Sequence, residues 1–315
     1  MGVIGWIQDQ IEDFTGKTER DDILKEMEKM GEKIEKTLEN GIEKINTQIE
    51  NLNENIEKIN EFRKYQVKED LNNLEILLER FGFVDKKMFF TEESIWEDSN
   101  FKIDLINNIE DYKQRYELDS SWEILKFFFV GGILLHFKRQ KENLKLRAEL
   151  KKIEIEYEKL KNDLEYQEKF YKENNEITLL YMVCLTEINL TIVNVILPEF
   201  ELVEAFCQAL EIKNKVIAEA NIKNINFKNH ITALNKTNYD KHYRFIKNAY
   251  AFYVISLKMY NTPILTNLFI SNSSKLDLDK SKKELKQLRE KQKLLKEQEN
   301  IIRENLMIER VGAYV

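Results

Sequence analysis

Apolar residues recur along this chain in two long stripes. In the first, Ile42, Ile45, Ile49, Leu52, Ile56 and Ile59 alternate strictly between steps of three and four. Upstream, Ile23, Met27, Met30, Ile34, Leu38 and Ile42 keep the same rule with one additional step of four, a stutter. The outer positions are Glu, Lys and Asn, so the stripe reads as one coiled-coil arm over residues 21–81. It continues through Leu71, Leu74, Leu78 and Phe81 and stops at Gly82. In the second stripe Leu146, Leu150, Ile153, Tyr157, Leu160 and Leu164 repeat the spacing, giving an arm over 138–173. A heptad stripe cannot stay exposed in water. Two of them in one chain, about 60 residues apart, predict antiparallel pairing within the molecule.

Between the arms, over 82–137, the pattern changes. Residues 82–93 read as a loop rich in aromatics, and Ser94 with Glu97 forms a capping box. Ile103, Ile106 and Ile109 then mark a helix over 101–117. A second capping box, Ser120 with Glu123, starts a helix near Ser121 that leads into Phe127–Leu135, nine residues without a polar side chain. From Trp122 to Phe137 such a helix is about 24 Å long, against a hydrocarbon core of about 30 Å, and it carries Glu123, Lys126 and His136. That argues against a stable single span. It leaves two readings open: an apolar head that meets a membrane in several copies or at the interface, and a helix end buried in protein. Lys138 to Lys152 holds seven basic and two acidic residues, a block that suits anionic headgroups. The candidate membrane contacts are therefore Phe127, Phe128, Phe129, Val130, Ile133, Leu134 and Leu135, supported by Lys138, Arg139 and Lys141.

Past the second arm, Asn174-Asn175-Glu176 predicts a break and a new helix cap. Ile177 to Leu197 is apolar enough to resemble a transmembrane span, but Glu187, Thr191 and Asn194 share one strip, and Glu201, Glu204, Gln208 and Glu211 extend it. A polar strip on an apolar helix favours a packed bundle core over a lipid span, with a pore-lining helix as the other reading. Pro198 predicts a kink. Tyr243–Leu257 reads as an aromatic, apolar helix ending before Pro263, and Ile264–Ile270 adds one or two turns, so 174–270 reads as bundle core. Ser271–Ser274 is a polar hinge before a last coiled-coil helix over about 277–309, within a segment 271–315. Residues 1–20 begin with a short amphipathic helix in which Val3, Ile4, Ile7, Ile11 and Phe14 share a face.

Composition narrows the class. Nine Gly and two Pro in 315 residues, with 33% charged residues, fit long helices and exclude a turn-rich sheet protein. The fold class is all-α, an elongated helical bundle with long antiparallel coiled-coil arms. A net charge of −7 with interspersed signs leaves no basic stripe for nucleic acid. Cys184 and Cys207 sit in apolar surroundings and read as buried thiols of a protein made in the cytoplasm; no secretory signal pattern opens the sequence.

Candidate chemistry is sparse. His136, His230 and His242 form no metal-ligand spacing, and neither a nucleophile elbow nor a phosphate loop occurs, so no catalytic residue, cofactor or metal is expected. The arms Ile42–Ile59 and Leu146–Leu164 with the head Phe127–Leu135 resemble the α-helical pore-forming toxins of the cytolysin A type. That resemblance implies a soluble form that hides the head and a membrane-bound form that exposes it and oligomerises. The expected function is thus a non-enzymatic, membrane-interacting coiled-coil protein, a pore-former or a membrane-remodelling component. Its partners would be an anionic membrane surface and further chains held through homo- or hetero-oligomeric coiled coils. The competing reading is a soluble scaffold or structural assembly protein, of a phage or a secretion machine, with the apolar run buried.

Overall fold

The computed structural model describes residues 3–81, 143–217, 240–269 and 277–306. These residues are 95% helical with no strand, which makes the fold an all-α helical bundle. In order they form α1 (Val3–Phe62), a π-helical turn (Arg63–Val67), α2 (Lys68–Arg80), α3 (Asn143–Thr191) and a second π-helical turn (Ile192–Ile196). α4 (Leu197–Ile217), α5 (Asp240–Tyr260), the single turn α6 (Thr266–Phe269) and α7 (Leu278–Arg303) follow. The first stretch is helical without a break from Val3, so residues 1–20 are not a separate short helix; nothing in their sequence beyond Gly16 interrupts it.

Two units divide the chain: Met1–Asn53 with Tyr112–Glu173, and Glu54–Asp111 with Asn174–Val315. In the first, the two predicted arms meet. Ile23, Met27, Ile34, Leu38, Ile45, Ile49 and Leu52 of α1 are buried, as are Leu146, Leu150, Ile153, Tyr157, Leu160 and Leu164 of α3. Their direction corrects the expectation. Glu19 meets Asn143 (3.2 Å) and Arg147 (2.7 Å), Thr37 meets the Tyr157 hydroxyl (3.2 Å), and Lys44 meets Glu168 (3.9 Å). Both numbers rise together, so the arms run parallel, not antiparallel. The register has a local cause as well. The sequence stutter falls at Gly41, where an added Cβ would lie 2.8 Å from Leu164 Cδ1. The missing side chain at Gly41 is the hole that the Leu164 knob fills.

The direction is testable. On a Cys184→Ala, Cys207→Ala background, cysteines at Glu19 with Arg147, or at Lys44 with Glu168, will be joined within a monomer by a short bis-maleimide. Cysteines at Glu19 with Glu168, the antiparallel pairing, will not. Crosslinking of the last pair alone would contradict the parallel arrangement.

In the second unit, Asn55 meets Asn175 (3.5 Å), Asp70 meets Asn189 (2.6 Å) and Arg80 meets Glu204 (3.0 Å), again parallel. α7 joins in the same sense: Asn174 contacts Ser281 (3.3 Å) and Glu187 contacts Lys296 (3.1 Å). α5 runs against all of these. Its start lies by α4, with His242 against Phe206 and Phe245 against Phe200, and its end lies by Arg63 and Tyr181. Among the described residues of this unit, the end of α1 with α2, the end of α3 with α4, and α7 thus run one way, and α5 returns.

Asn174-Asn175 does not break the helix. Both amides are buried and bond across to Ser281 and Asn55 instead of competing for their own backbone. Pro198 likewise leaves the helix continuous: it lacks the N–H that the preceding turn would use, and the chain widens there into the π-helical turn Ile192–Ile196.

Two side chains of α7 hold the described part of the link from α5: Lys291 donates to the Thr262 hydroxyl (2.8 Å), and Glu284 binds the next turn. Glu284 accepts from the Leu265 N–H (2.5 Å) and the Thr266 hydroxyl (3.0 Å). Leu265 has φ 59°, a left-handed conformation that costs a non-glycine residue about 1–2 kcal/mol. Its fully buried side chain and the Glu284 bond hold it there. Burial raises the Glu284 pKa above 4.5, and the bonds from Leu265 and Thr266 only partly offset this. The folded chain therefore binds this proton more tightly than the unfolded chain. Its contribution to stability is fully present below the unfolded value of 4.5 and is lost as pH rises through the folded value. Glu284→Gln will remove that part of the stability–pH profile, as measured by urea unfolding between pH 4 and 7.

Candidate functional site

The predicted membrane contacts Phe127, Phe128, Phe129, Val130, Ile133, Leu134, Leu135, Lys138, Arg139 and Lys141 lie outside the described residues, as do both capping boxes. What the structure describes is the second apolar stretch, Ile177–Leu197, at the end of α3.

This stretch has two apolar sides. Ile177, Tyr181, Cys184, Leu185, Ile188, Ile192, Val195 and Ile196 are buried in the second unit. The polar residues of the predicted strip are absorbed there in part. Glu187 forms an ion pair with Lys296 and accepts from Gln292 (3.3 Å), and Thr191 is buried, whereas Asn194 faces solvent. Asn189 donates to Asp70, whose carboxyl burial pushes above its usual value, with Asn189 partly offsetting the shift. One oxygen of Glu187, Oε1, is thus paired with two side chains of α7.

The other side is open. Leu179 is 55% exposed, Val183 46%, Leu190 51% and Val193 41%. Leu202 and Ile212 extend the open apolar face onto α4. No Lys or Arg occurs from Ile177 to Ile212. Sequence periodicity could not separate this face from the core face, because the narrow strip of Glu187, Thr191 and Asn194 has apolar residues on both of its flanks.

A second feature escaped the sequence reading. Arg63 stands four residues after Ile59 and four before Val67, a seam position, and is 5% exposed. Its Nη2 donates to the Tyr260 carbonyl (3.2 Å), and the guanidinium lies 4.8 Å from the Tyr260 ring and 5.9 Å from the Tyr181 ring. The Tyr181 hydroxyl donates to the same carbonyl (2.7 Å). Two donors from two helices therefore cap the C-terminus of α5, where the helix dipole favours a cation.

Chemistry of other kinds is thin. Among the described residues no group of three or more His, Cys, Asp or Glu is placed to hold a metal ion. Cys184 and Cys207 are free, buried thiols. No family model, no curated protein and no solved structure matches the chain.

Proposed function

We propose that this chain is a non-enzymatic, membrane-interacting helical protein that carries its apolar surface folded into a coiled-coil bundle, in the manner of an oligomerising pore-former or membrane-remodelling component. One observation supports the reading most. The continuous helix Asn143–Leu210 is long and apolar enough to cross a membrane by length and composition, and less than half of that apolar stretch is buried. The head Phe127–Leu135 adds a second apolar run, followed by the basic block that begins at Lys138. Transferring its three Phe and four aliphatic side chains to lipid would contribute on the order of 10 kcal/mol before ordering and dehydration costs. Lys138, Arg139 and Lys141 would add about 1 kcal/mol each on anionic lipid.

The scaffold reading has one specific observation in its favour. The Glu187–Lys296 ion pair fastens the apolar helix to α7, as a permanent core would require.

Flotation with anionic liposomes separates the two. Phe128→Asp with Phe129→Asp should abolish flotation while helicity and melting temperature stay near wild type. Should wild type ignore the liposomes at low salt, or the double variant unfold, the run is core and the scaffold reading stands.

A further inference from the structure

Ile177–Leu197 holds one charged residue in its 21 positions, Glu187, and it is the middle one. As a helix this stretch is about 30 Å long at about 1.5 Å per residue, the thickness of a hydrocarbon core. The centre of such a stretch is where a carboxylate costs most in lipid. In the folded chain that charge is met by α7. Lys296 lies 3.1 Å from Glu187 Oε1, and Gln292 donates to the same oxygen (3.3 Å). Two contacts just ahead of the stretch continue the grip. Asn174 donates to the Ser281 hydroxyl (3.3 Å), and Arg289 lies 3.8 Å from Glu176.

This grip is weaker than the seams elsewhere in the chain. The seam of α7 runs Leu278, Ser281, Leu285, Leu288, Gln292, Leu295, Glu299 and Ile302 at alternating steps of three and four, and three of its eight positions are polar. The seam Ile42–Ile59 of α1 has none. A polar residue in a seam fixes register at a cost in stability. The ion pair is also incomplete. Glu187 Oε2 is buried with no hydrogen-bond partner among the described residues, while Lys296 is 54% exposed and open to screening by salt. Elements that move are drawn from the least stable part of a fold, and α7 has that character. Leu285, Leu288, Leu295 and Ile302 are nevertheless buried, so α7 leaves only when another apolar phase receives what it uncovers.

We propose that α7 is a releasable clamp on the apolar stretch of α3. While α7 holds Glu187, the stretch stays in the bundle; release of α7 at a membrane lets Ile177–Leu197 insert. The proposal rests on the membrane reading and supplies its regulation. The ion pair that would fasten a permanent scaffold core is here the catch of the clamp.

The test uses the full chain with phosphatidylserine-containing vesicles and two readings. Flotation reports binding, and resistance to alkaline extraction reports insertion. On the Cys184→Ala, Cys207→Ala background, Glu187→Cys with Lys296→Cys is either joined by a short bis-maleimide or capped at both positions with N-ethylmaleimide. Both forms should float. The capped form, with neither the catch nor the central charge, should resist extraction, and the joined form should be extracted. Glu187→Gln, which keeps the size of the side chain, avoids any question of folding in the cysteine variant. It should raise the resistant fraction about threefold or more over wild type. Joined and capped forms that resist equally, a capped form that floats yet is fully extracted, or a Glu187→Gln chain no more resistant than wild type would each overturn the clamp and leave the membrane reading in place. A wild type that does not float at all would sink the membrane reading, and the clamp with it.

Discussion

Phe200→Ala will lower the unfolding free energy by about 3–5 kcal/mol, the largest loss expected from any single substitution considered for this bundle. Phe200 is fully buried and sits between two other rings, Phe81 at 5.4 Å and Phe245 at 5.2 Å. The stack joins the end of α2, the start of α4 and the start of α5, helices far apart in sequence. Alanine removes both ring contacts, each about 0.5–1.5 kcal/mol beyond the area buried, and leaves a cavity that three packed helices cannot close. Phe200→Leu refills most of that volume and should cost less than half as much. Urea unfolding followed by circular dichroism reads both. A loss below about 1 kcal/mol for alanine would mean that the three rings are not a shared core.

The second large effect is at Arg63. A buried cation is stable only if its surroundings replace water; here two tyrosine rings and a helix C-terminus do so in part, while Nε is left without a hydrogen-bond partner. Arg63→Ala removes the stacking and the bond to Tyr260 and opens a cavity, for a loss of about 2–4 kcal/mol. Arg63→Met keeps most of the volume and carries no charge to desolvate, so it should cost under about 1.5 kcal/mol, because the Tyr181 hydroxyl still satisfies the Tyr260 carbonyl. Arg63→Lys keeps the charge but not the plane, and should fall closer to alanine than methionine does. Thermal and urea unfolding of the three variants decide the matter. If methionine were as damaging as alanine, the guanidinium would be bonded more deeply than the Tyr260 contact describes.

Much of this architecture was legible because it is carried by spacing. Ile45 to Ile59 and Leu146 to Leu164 are unbroken seams, and all of their heptad positions are buried. Direction was not legible. A seam of Ile on one helix and Leu on the other accepts a partner either way, and the pairs that show the sense, such as Glu19–Arg147 and Lys44–Glu168, are exposed and weak. Asn174-Asn175 misled for a related reason. Locally two asparagines favour a helix end, but Asn55 and Ser281 supply partners that only the fold brings near. Arg63 was visible by position and hidden by type, since a charged residue reads as an outer position unless the tyrosines that receive it are known. Of the candidate site, the residues of the head fall outside the described structure, while the stretch Ile177–Leu197 was found from its apolarity alone. Which of its two faces is open required the packing of α5, α7 and Asp70 against it.

Contact between the head and lipid is the claim on which the functional account turns, and it can be read at a single position. Leu134→Cys, on the Cys184→Ala, Cys207→Ala background, is labelled with an environment-sensitive fluorophore and mixed with phosphatidylserine-containing vesicles whose acyl chains carry a nitroxide quencher. The same label at Ile155, an exposed position of the second arm, serves as the control. The account predicts a blue shift and strong quenching at position 134 and neither at position 155. A label at 134 that keeps its emission, unquenched, at saturating vesicle concentration would contradict it.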